Sequence, residues 1–304
     1  MQRRTFLKTV AGASLASSAL SVRASGGEQR GAMPKLIPPP QPACLNLCLQ
    51  WWHIPAKDMN GKLDYLESHG YRSVEIPSGS WLLKEGEKFK KALKGRKLKV
   101  ATACGPSDFS YVEEKRRNRE VEKFLPQLEV LGMLNAVGLI LCPMRKKPGL
   151  GLKELRDDFV NNTGRRLAEK AAQCGTHIVL EPLRRNETPF LRQVADGAMI
   201  ARDIGKGAKV MGDFWHMARE ETSFMGALIS GGPLLAHIHI ASLKRRLVPG
   251  VDGEADNYID GFRGLKLIGY QGAVSFEGGI PKGGDRIRLL DNMVKLLHEQ
   301  WEKA

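Results

Sequence analysis

Four short apolar runs in the second half of the chain carry residues that can do acid–base or metal chemistry. IVLEP ends near Glu181, VMGDFWH carries Asp213 and His216, AHIHIAS carries His237 and His239, and VSFEGG carries Glu277. The intervals Glu181 to Asp213, Asp213 to His239 and His239 to Glu277 are 32, 26 and 38 residues, each about one strand plus one helix. Taken singly, any of these side chains reads most simply as a satisfied buried polar group. Standing in register at successive strand ends, three carboxylates and one imidazole make a mostly hard, oxygen-rich donor set. Such a set suits one divalent ion, Mn²⁺, Mg²⁺ or Co²⁺, with Zn²⁺ also compatible. Four protein donors on an ion that accepts five or six leave positions for substrate oxygens. His237 and His239 are two apart on a strand and point the same way, so spacing alone leaves open which of them reaches the ion.

The elements that must position these residues form a regular rhythm. From Ala43 onward, eight short runs rich in Val, Ile and Leu alternate with longer segments: CLNLCLQ, YRSVEIP, KLKVATACG, NAVGLILCP, THIVLEP, AKVMGDFWH, LLAHIHIAS and GAVSFEG. Between them lie NGKLDYLESHG, EEKRRNREVEKFLPQLEVLG, ELRDDFVNNTGRRLAEKAAQCG and DNYIDGFRGLKLIG, and RIRLLDNMVKLLHEQWEKA closes the chain. Each shows apolar residues at three- and four-residue spacing, and Gly70, Gly132, Gly175 and Gly269 stand where helix C-caps are expected. Continuous apolar strands alternating with amphipathic helices predict a parallel sheet covered by helices. Eight such units match a (β/α)₈ TIM barrel in a single α/β domain over residues 43–304, with its active site at the C-terminal ends of the strands. No glycine-rich phosphate fingerprint follows the first strand, which disfavours a nucleotide-binding open sheet. MGDFWHM reads as a loop after the sixth strand.

Residues 1–24 are not expected to belong to the barrel. QRRTFLKTV, then the weakly apolar VAGASLASSAL, then SVRAS, has the layout of a signal peptide with a cut after Ala24. Its arginine pair resembles the twin-arginine export motif. This predicts a periplasmic protein that meets the membrane only during export. Residues 25–42, SGGEQRGAMPKLIPPPQP, read as a linker or surface arm. The formal charge is +14, and removing the leader takes away four cations and no acid, leaving +10. The lysines and arginines are scattered on helical faces, so no nucleic-acid partner is expected. Five cysteines without metal spacing read as buried thiols.

With these residues in view, the chain resembles the xylose isomerase-like barrel superfamily, specifically its sugar (phosphate) isomerase/epimerase branch of ketose 3-epimerases and hydroxypyruvate isomerases. The resemblance implies that Glu181, Asp213, His239 and Glu277 ligate the ion, and that Glu181 and Glu277 move the substrate proton. EPLRRNE supplies a second acid, Glu187, and His216 follows Asp213 by three residues. An arginine six residues after the His-x-His motif, before a Pro-Gly, falls on Arg245, with Arg246 as its neighbour. Glu187, His216 and Arg245 are thereby implied to touch substrate oxygens. Apart from that resemblance, Glu75 in VEIPSG reads as a partner standing behind the ligands. The implied chemistry is proton abstraction alpha to a carbonyl of a small carbohydrate, through an enediolate that the cation stabilises. Epimerisation or aldose–ketose isomerisation is the leading expectation. A 3-keto-glycoside β-eliminating lyase using the same site comes second, since an exported enzyme meets free sugars more than phosphorylated ones. A non-catalytic sugar-binding barrel ranks lower. An apurinic endonuclease ranks lowest, because VEIPSG and ATACGPSD lack the histidines that extra ions need. A homo-oligomer is compatible with the sequence.

Overall fold

The structure is a computed structural model that describes residues 42–105, 108–144 and 149–304. The expected leader, and the arm up to residue 41, lie outside the described residues. Eight strands form: β1 (Asn46–Gln50), β2 (Ser73–Pro77), β3 (Lys99–Cys104), β4 (Gly138–Leu141), β5 (His177–Leu180), β6 (Ala208–Asp213), β7 (Leu235–Ile240) and β8 (Ala273–Phe276). Each lies within one of the eight apolar runs. They pair in sequence order, all parallel, and β8 closes onto β1 with Leu47 opposite Val274. The closed barrel leaves no sheet edge exposed.

The helices are α1 (Met59–Ser68), α2 (Ser80–Leu93), α3 (Glu114–Met133), α4 (Leu152–Asp158), α5 (Gly164–Gln173), α6 (Val194–Ile204), α7 (Phe214–Glu220), α8 (Phe224–Gly231), α9 (Ile259–Leu267) and α10 (Arg286–Lys303). One wide π turn over Phe159–Thr163 joins α4 to α5, so the long predicted segment there is helical nearly throughout. The main core runs between barrel and helices and includes Leu63, Phe89, Leu128, Phe214, Phe262 and Leu297, all buried. Smaller clusters, Cys48 with Ala101 and Ala273, and Ile140 with Val179 and Met211, join strand residues to one another. No helix among the described residues is long and apolar enough to cross a membrane.

Two expectations are corrected. α3 continues past Gly132 to Met133, and Asn135 takes the left-handed conformation (φ 52°) that the glycine was expected to supply. Gly132 serves close approach instead: a Cβ there would lie 2.2 Å from the carbonyl oxygen of Cys174. The segment after β6 is helix rather than loop, because Asp213 acts as the N-cap of α7 and accepts from the amides of Trp215 and His216 at 2.7 and 3.3 Å.

Candidate functional site

The strand ends bring Glu181, Asp213, His239 and Glu277 together. Each offers one donor atom, and these atoms all lie within 4.8 Å of one another. Glu181 and Glu277 follow β5 and β8 directly. Asp213 and His239 are paired across β6 and β7, so the sheet itself sets their spacing. His239 Nδ1 lies 2.8 Å from Glu277 Oε2 and 3.6 Å from Glu181 Oε1, yet neither Nδ1 nor Glu181 Oε1 has an aligned hydrogen-bond partner among the described residues. Lone pairs facing one another in a buried space require a positive charge between them. Either a proton on His239 or a divalent ion supplies it, and ion binding displaces that proton. At bonds of roughly 2.0–2.2 Å to a divalent ion, donors fall roughly 3 to 4.4 Å apart. The cluster therefore fits such an ion with little adjustment.

Behind the cluster lies a fully buried carboxylate. Glu75 Oε1 accepts from Gln50 Nε2 at 2.6 Å, and Oε2 accepts from Thr102 Oγ1 at 2.9 Å, His237 Nε2 at 2.7 Å and His239 Nε2 at 2.9 Å. His237 is thus tied to Glu75, and His239 alone of the pair belongs to the four-residue cluster. Glu75, His237 and His239 also converge closely enough to hold an ion, but the hydrogen bonds already account for their arrangement.

Asp213 divides its oxygens. Oδ1 caps α7, while Oδ2 accepts from Arg246 Nη2 at 3.1 Å and lies 3.8 Å from His216 Nε2. The cap places His216 in the first turn of α7. There its Nδ1 accepts from the Arg184 amide at 3.1 Å, so Nε2 carries the ring proton. That buried Nε2–H has no partner among the described residues and is a donor available to a ligand. Glu187 lies in the turn after β5 and accepts from Arg184 Nε at 2.8 Å. The Trp215 ring is surrounded by the guanidinium groups of Arg184, Arg219 and Arg246 at 4.3, 4.1 and 4.6 Å.

The two neighbouring arginines point in different directions. Arg245 points outward, 58% exposed, with its Nε on Asp252. Asp252 also accepts the Lys244 and Arg245 amides. Burial would raise its carboxyl, but the Arg245 and Ser242 side chains and these amides outweigh that and hold it at about 2. Arg246 is the arginine at the cluster: its Nη2 donates to Glu277 Oε2 at 2.7 Å as well as to Asp213. The cause is a tight reversal. Ser242 N donates to Leu247 O at 2.7 Å, Leu247 N to Ser242 Oγ at 2.9 Å, and Arg246 adopts φ 56°. That left-handed residue swings its side chain back over the barrel mouth, and a one-residue choice of this kind leaves no mark in the spacing.

Burial would raise Glu277, but His239 and Arg246 outweigh it and hold it well below the carboxylate range. Burial and the charge of Glu277 would raise Glu181, yet His239 prevails and lowers it. Burial raises Asp213, only partly offset by His216 and Arg246. His239 is pushed up despite burial, chiefly by Glu75 and Glu277.

Two contacts escaped the sequence reading. The Cys142 thiol donates to Glu181 Oε2 at 3.1 Å. Its only sequence signal was its place at the end of the fourth run. His53, after β1, stacks on Phe276 with ring centroids 4.8 Å apart. Burial and the nearby Arg286 hold it down at about 4.

Fold and site together define a (β/α)₈ barrel with an acid-and-imidazole cluster at its C-terminal mouth. The chain belongs to the xylose isomerase-like TIM barrel family, whose model matches residues 63–297. It is 32% identical over 234 residues to 3-dehydro-D-guloside 4-epimerase of Escherichia coli, covering 72% of this chain and 86% of that one. It is 39% identical over 119 residues to D-psicose 3-epimerase of Agrobacterium fabrum, a match covering 39% of this chain and 40% of that protein. Among solved structures, apo 3-keto-D-glucoside 4-epimerase from E. coli superposes with a TM-score of 0.76 at 27% identity, over 84% of this chain and 100% of that one.

Proposed function

We propose that the protein is a divalent-cation-dependent sugar epimerase that inverts a carbon next to a carbonyl, with 3-keto-glycosides as its favoured substrate class. The observation that carries this reading is the convergence of Glu181, Asp213, His239 and Glu277 within 4.8 Å. These four residues hold the ion, which we take to be Mn²⁺, Mg²⁺ or Co²⁺. When bound, the ion supplies Lewis-acid polarisation of a substrate carbonyl and offsets the negative charge that develops beside it. Choice of a 3-keto-glycoside over a free ketose is supported by the first relative above, which matches along most of both chains.

Glu181 is assigned as the base that removes the proton. Its Oε1, which faces His239 Nδ1, would hold the ion, and its Oε2, which accepts the weak thiol donor of Cys142, would take the proton. Glu277, held by Arg246, must enter this step protonated; it gives that proton to the opposite face of the same carbon, which inverts it, and proton exchange with solvent then restores ionised Glu181 and protonated Glu277. His216 Nε2–H donates to a substrate oxygen and orients it. The twin-arginine-like leader in residues 1–24 supports an exported enzyme acting on unphosphorylated sugars.

The test is NMR in D₂O with Mg²⁺-loaded protein and a panel of 3-keto-glycosides and ketoses. Deuterium uptake next to the keto group with growth of one epimer is expected, and Glu181→Gln and Glu277→Gln abolish both. Release of the aglycone would make the enzyme a β-eliminating lyase instead. Absence of exchange across the panel would leave a sugar-binding barrel without catalysis.

A further inference from the structure

We propose that Glu75 is a positioning residue, which dictates that His239 presents Nδ1 and not Nε2 to the metal site. The inference rests on the metal-dependent reading above and adds to it a residue on β2, 164 positions from its target in the chain. An ionised carboxylate offers only lone pairs. Glu75 Oε2, at 2.7 Å from His237 Nε2 and 2.9 Å from His239 Nε2, therefore requires a proton on each of those nitrogens. Once an ion displaces the second ring proton, the one that remains is on Nε2, and His239 Nδ1 is a lone pair aimed at the space shared with Glu277, Glu181 and Asp213.

The competing tautomer is close at hand. With the proton on Nδ1, His239 would set that proton against Glu277 Oε2, 2.8 Å away, with only a small rotation needed to align it. That would remove two members of the cluster from metal binding at once. A negative charge behind Nε2 makes this alternative unfavourable and raises the basicity of Nδ1. The surrounding groups are arranged to keep the carboxylate in place. Gln50 and Thr102 donate to it, and it is wholly buried with them and both histidines. A buried charge is costly unless it is fully hydrogen-bonded, and here four donors satisfy it.

Glu75→Gln separates charge from shape. The amide oxygen can face the histidines, and its NH₂ can face Gln50, whose Oε1 lacks a partner among the described residues and comes round by an amide flip. Glu75→Met removes the acceptor altogether. Mn²⁺ titrations of wild type and both variants, with melting temperatures of the metal-free forms, distinguish positioning from mere packing. We expect affinity to fall about 10-fold in Glu75→Gln and about 100-fold in Glu75→Met, beyond any change in metal-free stability. The ¹⁵N spectrum of histidine-labelled, Zn²⁺-loaded wild type is expected to show His239 protonated at Nε2 and ligated through Nδ1, a result that decides the matter even if Glu75→Met does not fold. Ligation through Nε2, or folded variants binding with wild-type affinity, overturns the inference while leaving the metal-dependent reading intact. If wild type itself binds no ion at the cluster, both fall together.

Discussion

Replacing Arg246 by Gln, beside the parallel change at Arg245, separates two adjacent cations that spacing cannot tell apart. Arg246 makes charge-assisted hydrogen bonds of 2.7 and 3.1 Å to Glu277 and Asp213 and stacks on Trp215. Such bonds contribute about 1.5–3 kcal/mol each. The side chain is a quarter exposed, which argues for the lower end of that range. The sum is about 3 kcal/mol, equivalent to about a 100-fold loss in kcat/KM for Arg246→Gln. Arg246→Lys should recover part of it, because the ammonium keeps the charge but loses the guanidinium's reach and its stacking on Trp215. Arg245 is mostly exposed and its charge pairs with Asp252, which belongs to neither the ion cluster nor the Arg246 bonds, so Arg245→Gln should change kcat/KM by less than about threefold. The assay is the initial rate of deuterium uptake by the keto-sugar, read at several substrate concentrations. If Arg245→Gln costs as much as Arg246→Gln, the reversal at Ser242–Leu247 does not direct the chemistry as argued.

Phe214→Ala, removing a buried ring packed edge-on against Phe224, Tyr258 and Phe262, should destabilise the fold by about 3–5 kcal/mol and impair α7, which carries His216; a thermal melt and the rate assay check both. Cys142→Ala should slow turnover by up to about tenfold, through loss of a donor to Glu181 worth about 1 kcal/mol, whereas Cys142→Ser keeps a donor and should stay near wild type in the same assay. His53 has its folded pKa held down at about 4, below that of the unfolded chain. Unfolded chains therefore bind the extra proton first, and stability is lost as pH falls from about 6.5 through 4, by about 3 kcal/mol in all. His53→Phe should remove that component, so denaturation of the two proteins compared at pH 7 and pH 4 should show the gap between them shift in favour of the variant.

The barrel was legible because its strands are buried on both faces and read as unbroken apolar runs. Among the described residues, four of the ten helices were less so. α2 announced only a lysine-rich face, and α6 and α8, VADGAMIARDI and FMGALISG, are apolar and glycine-containing, with little polar face to reveal a period. α7 begins on the residue after its strand and so looked like a loop. Convergence of Glu181, Asp213, His239 and Glu277 was readable from their strand-end spacing. The choice between Arg245 and Arg246 was not, since it turns on one left-handed φ. Nor were the bonds of Glu75 to His237 and His239, which cross the barrel from β2 to β7, or the thiol of Cys142 on Glu181.

Anomalous diffraction from a crystal soaked in Mn²⁺ addresses the shared-ion claim at its source. One strong peak bonded to Glu181, Asp213, Glu277 and Nδ1 of His239 is the expected result. A peak seated instead between Glu75 and His237, or no ordered ion at millimolar Mn²⁺, would contradict it.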